Sequence, residues 1–186
     1  MSESHFPQLE TERLTLGEIE PTLVDDVFLM YSNPQVCRYL PFPAFTTREE
    51  AASLIESWLN IERSGAGYRW CVRLLETTDF LGFVGLRQWD RRVNSAELTF
   101  ALRPERWGSG YMREAILAVL QYAFPAMKLR RLTAYVDPND IRAQNLLLGL
   151  SFKIEGIMRG HDVIRGEYVD DMIFGLLSDE WSGVPA

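Results

Sequence analysis

The residues best suited to chemistry form one run: Arg106-Trp107-Gly108-Ser109-Gly110-Tyr111-Met112-Arg113-Glu114-Ala115. Two glycines one residue apart let the backbone turn tightly and bring its N–H groups close to a ligand. A helix opening at Tyr111 starts with N–H groups that have no partner inside the helix, and its dipole adds partial positive charge there. Together these features hold an anion, most naturally a phosphate. Three phosphate chemistries compete. A P-loop requires Gly, four residues, then Gly-Lys-Ser/Thr, and no such run occurs. A dinucleotide fingerprint requires a third glycine, but Arg113 stands at that position. It also requires a parallel strand–helix–strand unit, whereas the strands before this loop are spaced as antiparallel hairpins. The third chemistry is the pyrophosphate arm of coenzyme A. A loop that merely joins strand to helix would read the same over this stretch alone.

Elsewhere reactive groups are sparse. Cys37 and Cys71 lack a His or acid partner in sequence, so a covalent acyl-cysteine is not supported. With only His5 and His161 beside them, no zinc ligand set exists, and no metal is expected. His161 lies in a polar stretch, Arg159 to Arg165, and reads as a surface residue in a turn. The formal net charge of −7 argues against a nucleic-acid-binding surface and suits cationic acceptors or simple solubility. No window approaches twenty uninterrupted apolar residues, so no membrane span is expected. The start, Met1 to His5, lacks the basic and apolar regions of a secretory signal, and the two cysteines fit a reducing compartment. The expectation is a cytoplasmic protein. At 186 residues, 47% of them hydrophobic, the chain has the size and composition of one well-buried domain.

The elements that must position the loop follow from hydrophobic period. Glu12 to Gly17 alternates as a strand, and Pro21 to Ser32 has helical spacing stopped by Asn33-Pro34. Val36 to Phe45 is an aromatic, proline-bearing loop. Thr47-x-x-Glu50 is a capping box for a helix reaching about Ile61. Tyr68 to Leu75, Phe80 to Trp89 and Ser95 to Arg103 form a three-strand meander. In the first of these strands, Arg69 and Arg73 point away from Tyr68, Trp70, Val72 and Leu74. A helix follows from Tyr111 to about Phe124, then a strand from Arg131 to Val136 and a short helix from Asp140 to Leu150. Ser151 to Met158 and Tyr168 to Leu177 close as an antiparallel pair. The order is α+β, with a mixed, mostly antiparallel sheet flanked by helices. The strand before the glycine loop and the strand after its helix run parallel through a right-handed crossover.

The run from Ala96 through Ala115 resembles the acetyl-CoA-binding motif of the GNAT N-acetyltransferase superfamily, nearest its ribosomal-protein Nα-acetyltransferase branch. That family's loop reads Gln/Arg-x-x-Gly-x-Gly/Ala. Here Trp107-Gly108-Ser109-Gly110-Tyr111-Met112 keeps the middle glycine as Gly110, while Met112 stands where Gly or Ala is usual. The likeness extends from about Leu9 to Trp181. It implies a single acyl-CoA N-acyltransferase domain whose two parallel strands splay apart to admit the cofactor. It implies cofactor contacts from the backbone at Phe100, Ala101 and Leu102 and from Trp107, Gly108, Ser109, Gly110, Tyr111, Met112 and Arg113. In relatives the following helix begins with Asn, has Ser three residues on and ends Gly-Phe. Aligned on Phe152, those positions are Asp140, Ala143 and Ser151, with Asn139 beside the first as the cofactor contact. Where relatives often carry Tyr in this helix, the chain has Leu147.

Acyl transfer to an amine needs a bound thioester, a neutral amine, donors for the oxyanion and a proton for the leaving thiolate. From reference pKa values, roughly a tenth of α-amino groups are neutral at pH 7, against about one lysine in two thousand. A modest base therefore suffices for an α-amine. Glu97 shares a strand face with Thr99 and Ala101, and the resemblance places a Glu there. It is the expected base, although a solvated carboxylate would show the same pattern. Tyr168, in Gly166-Glu167-Tyr168-Val169-Asp170, is the substitute acid. Tyr39 and Phe42 border the acceptor groove by resemblance. The expected function is N-acetylation by direct attack in a ternary complex, with a protein N-terminal α-amine as acceptor. The alternatives are small amines such as antibiotics or polyamines, and a non-catalytic acyl-CoA-binding module. A homodimer through aromatics near Trp58 or Trp181 is open.

Overall fold

The computed structural model describes residues 6–183, so the expectation about the start at 1–5 falls outside the described residues. Among the described residues eight strands and four α-helices follow one another: β1 (Leu9–Glu10), β2 (Leu14–Glu18), α1 (Val24–Tyr31), α2 (Arg48–Arg63), β3 (Tyr68–Leu74), β4 (Phe80–Asp90), β5 (Ser95–Leu102), α3 (Tyr111–Ala123), β6 (Arg131–Val136), α4 (Ile141–Leu148), β7 (Lys153–Ile164) and β8 (Glu167–Leu177). They form one sheet in the order β1-β2-β3-β4-β5-β6-β8-β7. Neighbours pair antiparallel except β5 and β6, which are parallel across the α3 crossover. The α+β, mixed-sheet expectation is met.

Two layers of helix cover the sheet. On one face, α3 and α4 pack Ile116, Val119, Leu120 and Leu147 against Leu98, Leu132, Ala134 and Phe174. Burying Ile116, Val119 and Leu120 is worth on the order of 5–8 kcal/mol in apolar transfer, which anchors the helix carrying the glycine loop. On the other face, Val27, Met30, Ile55 and Trp58 of α1 and α2 meet Cys71 and Phe83 of β3 and β4. Trp58 is thus a core residue, and it leaves the set of interface candidates; Trp181 packs on Phe124 with ring centroids 5.4 Å apart.

Several boundaries differ from the sequence expectation for local reasons. Pro21–Leu23 forms a 3-10 turn, so α1 begins only at Val24. β1 is too short to show a period. At α2, Glu50 accepts the N–H groups of Thr46 at 2.8 Å and Thr47 at 2.9 Å, which is the carboxylate half of the capping motif. Arg69 does not face solvent: it is 8% exposed, because α2 covers its face of β3 as well. The largest difference is in the last hairpin. β7 runs on to Ile164, so His161 stands in a strand and the turn contracts to Arg165-Gly166. Register shifts at Ile154/Gly156 and Met158/Asp162 break the two-residue period that would have marked the strand.

Candidate active site

The parallel ladder between β5 and β6 ends early. Ser95, Ala96 and Glu97 oppose Arg131, Leu132 and Thr133, and pairing stops there although β5 continues to Leu102 and β6 to Val136. The two strands part at that point and leave a gap. The alternation of ladder bonds fixes which groups of β5 face it. Arg103 N donates to Leu81 O of β4 at 2.8 Å, while Asn94 O accepts from Arg130 N on the β6 side at 2.7 Å. Odd residues therefore bond β4, and even ones turn their N–H and C=O toward β6. Phe100 and Leu102 present backbone to the gap, whereas the amide of Ala101 is committed to β4. A Cβ on Gly82 would lie 2.2 Å from Ala101 O, so only glycine lets β4 approach so closely there. The Leu102 carbonyl is capped by Trp107 Nε1–H at 2.8 Å, and Arg142 lies over the Trp107 ring at 4.1 Å.

At the mouth of the gap stands the glycine loop. Gly108 and Gly110 have φ of 75° and 80°, a left-handed conformation that side chains resist. Gly110 caps α3, and Glu114 N donates to its carbonyl at 3.0 Å. The N–H groups of Gly108, Ser109, Gly110, Tyr111, Met112 and Arg113 have no acceptor among the described residues. These six consecutive free amides at the positive end of a helix form a cradle suited to a diphosphate. Met112 fits because its side chain turns into the core at 7% exposure, away from the cradle. The loop is moored to the β1–β2 turn by residues the sequence reading missed. Glu114 accepts from Thr11 Oγ1 at 2.6 Å, Arg13 N at 3.0 Å and Arg13 Nε at 2.7 Å, and Arg13 Nη1 donates to Ser109 O at 3.2 Å. Burial raises the Glu114 pKa, but these hydrogen bonds outweigh it and hold the carboxyl below its ordinary value. No local signal could reveal contacts about 100 residues apart in sequence.

Glu97 lies on the α1/α2 side, with Thr99 and Ala101 as expected, yet it is not solvated. It is 6% exposed, and its Oε1 accepts both Nε–H, at 2.8 Å, and an Nη–H of Arg87. In the adjoining row, Arg69 reaches across side-chain-free Gly85 to donate to Thr99 Oγ1 at 3.2 Å. Trp58 and Phe83 cover its guanidinium at 4.8 and 5.1 Å, and its Nε has no partner among the described residues. Desolvation depresses the Arg69 pKa to about 10.

Across the gap, Tyr39 Oη donates to Asn139 O at 3.1 Å, joining the α1–α2 loop to the β6–α4 turn. The Asn139 side-chain amide bonds Asp137 Oδ1 at 2.9 Å, and Asp140 caps α4 by accepting Ala143 N at 3.1 Å. Phe42 stacks on Phe45 and meets Tyr31 edge-on, both at 5.3 Å. Leu147 is fully buried, so the position where relatives often carry Tyr supplies no acid here. Tyr168 is 80% exposed at the start of β8, past the end of β6. No group of three or more metal-binding side chains occurs, and no helix is long and apolar enough to cross a membrane, among the described residues.

Comparison with known proteins gives this geometry its class. The protein described as spermidine N-acetyltransferase from Vibrio cholerae, in complex with CoA and spermine, superposes with a TM-score of 0.79 at 23% identity, covering 91% of this chain and 98% of its own. Ribosomal-protein-S5-alanine acetyltransferase from Vibrio fischeri does so with a TM-score of 0.81 at 19% identity, covering 95% and 99%. Both share the fold. In sequence, the uncharacterized N-acetyltransferase p20 of Bacillus licheniformis is 31% identical over 175 residues, which is 94% of this chain and 98% of its own. The Acetyltransferase (GNAT) domain family matches residues 13–153. The chain belongs to the GNAT family and is an acetyl-CoA-dependent N-acetyltransferase.

Proposed function

We propose that this chain acetylates a protein N-terminal α-amine in the cytoplasm, by direct attack of the amine on the acetyl thioester in a ternary complex. The observation that carries the reading is the open edge of β5 leading into the six free amides from Gly108 to Arg113. The cradle takes the diphosphate, and Trp107, Tyr111 and Asn139 border the pantetheine path. The N–H of Phe100 or Leu102 takes the thioester oxygen as negative charge builds on it, commonly the largest electrostatic contribution in acyl transfer. Tyr39 and Phe42 line the acceptor side. The thiolate leaves with Tyr168 or water as proton donor, since thiols ionise near pH 8.5 by type.

One point favours an α-amine over a polyamine: the α-amine needs far less help to lose its proton. Thiol release from acetyl-CoA, measured with N-terminal peptides, spermidine and small amines, tests the reading. Peptides should exceed spermidine at least tenfold in kcat/KM, about 1.4 kcal/mol in transition-state binding; the reverse order contradicts it.

A further inference from the structure

The β7–β8 hairpin brings together a pair that neither strand reveals alone. His161 Nδ1 lies 2.7 Å from Asp171 Oδ2, and the side chains are 39% and 14% exposed. A carboxylate only accepts, so the neutral imidazole donates its Nδ1–H to Asp171 and keeps a lone pair on Nε2. Tyr135 of β6 stacks on the ring with centroids 5.5 Å apart and planes 26° apart. The imidazole is thus oriented by a carboxylate and steadied by an aromatic face.

Strand register locates the pair. Glu97 opposes Thr133 in the last paired row of β5 and β6, so their side chains share the α1/α2 face. Tyr135, two residues on, keeps that face and opposes Ile173 of β8; Asp171, two residues from Ile173, returns to it. Counted from the Glu97–Thr133 row, Tyr135 is level with Thr99. Asp171 comes one position past the Val136–Met172 row, level with Ala101. The dyad therefore stands beside the gap at the height where Phe100 and Leu102 present their N–H groups. Stacking on Tyr135 carries the imidazole back over β6, the strand that borders the gap.

We propose that His161, oriented by Asp171, is the general base that takes the proton of the acceptor amine. This rests on N-acetyl transfer at the β5–β6 gap and holds for any amine acceptor. The amine nitrogen forms a bond to the thioester carbon, the carbon–sulfur bond breaks with its electron pair passing to sulfur, and the proton leaving nitrogen goes to His161 Nε2. The imidazolium then returns it to water or the thiolate. Glu97 is the poorer candidate, because it is buried and Oε1 already serves two Arg87 donors. The charged and titratable groups around His161 are Tyr135 of β6, Asp162 of β7, and Asp170 and Asp171 of β8, with Arg131–Glu155 in the neighbouring row. Of all side chains, imidazole is by type the base matched to neutral pH.

The test compares His161→Gln, Asp171→Asn and Glu97→Gln on any amine the parent enzyme acetylates, from roughly pH 6 to 9, with acetyl-CoA affinity measured in parallel. His161→Gln should lower kcat about 10²- to 10³-fold, erase the acidic limb of the pH profile and leave acetyl-CoA affinity unchanged. Asp171→Asn should lower kcat about tenfold, because the imidazole loses the partner that fixes its tautomer and orientation. His161→Gln within about twofold of the parent, with its limb intact, overturns the proposal. A second readout needs no turnover. His5→Gln leaves one imidazole, and nitrogen NMR should show it protonated on Nδ1 with a bare Nε2 that responds to acetyl-CoA; the opposite tautomer overturns the proposal. Spermidine-only activity that vanishes in His161→Gln removes the N-terminal acceptor and keeps the dyad. Peptide activity indifferent to His161 does the converse.

Discussion

The two walls of the gap are built on different principles. The β5 wall presents main chain: the N–H groups of Phe100 and Leu102, then the six free amides of the glycine loop, set by ladder alternation and two left-handed glycines. The β6–β8–β7 wall presents side chains: Tyr135, His161 and Asp171, gathered from three strands. Main-chain recognition suits the part of the substrate common to every turnover. Side chains can change without rebuilding the fold, so they suit the part that varies with the acceptor. Substitutions on the first wall should act on acetyl-CoA affinity, and those on the second on kcat and acceptor KM.

The sharpest break of that division is Gly110→Val. At φ 80° a β-branched residue forces the cap of α3 out of shape, at a cost of roughly 1–3 kcal/mol beyond the amides it displaces. Acetyl-CoA Kd by calorimetry should rise about 100-fold, with the helix content by circular dichroism retained. Trp107→Phe removes the 2.8 Å bond to Leu102 O and frees the end of β5. KM for acetyl-CoA should rise about fivefold, and acceptor KM should not follow. Tyr39→Phe cuts the 3.1 Å link to Asn139 O. Its effect should be about threefold and fall on acceptor KM, because it loosens the acceptor-side strap.

The smallest effect is on acid stability. The folded-state pKa of Glu114 is lowered, so its contribution is present above the unfolded value and is lost as pH falls through the folded one. Thermal melts of Glu114→Gln should therefore lie below the parent at neutral pH and converge with it below about pH 4. A constant offset at every pH would mean that shape rather than charge moors the loop to the β1–β2 turn.

The same contrast governs what could be read from the chain. The Gly108–Arg113 cradle was legible because a backbone that must bend and expose amides demands particular residues in sequence. The order of strands and helices was legible for a similar reason: each leaves a local period. The gap itself was not, since the end of the β5–β6 ladder after Glu97 has no side-chain signature. Alternation places Glu97 on the correct face but cannot show that it is buried, nor that Arg87 opposes it from β4. Arg13 and Glu114 meet through the fold alone. His161 reads as a turn residue because two register shifts scramble the period of β7, and its link to Asp171 depends on those same shifts.

The most direct test of the account is amide mapping by proton–nitrogen NMR as acetyl-CoA is added. The account predicts that the signals of Gly108 to Arg113, Phe100 and Leu102 shift together, while that of Ala101, bonded toward β4, moves far less. Shifts confined to other surfaces, with the loop amides still, would contradict it.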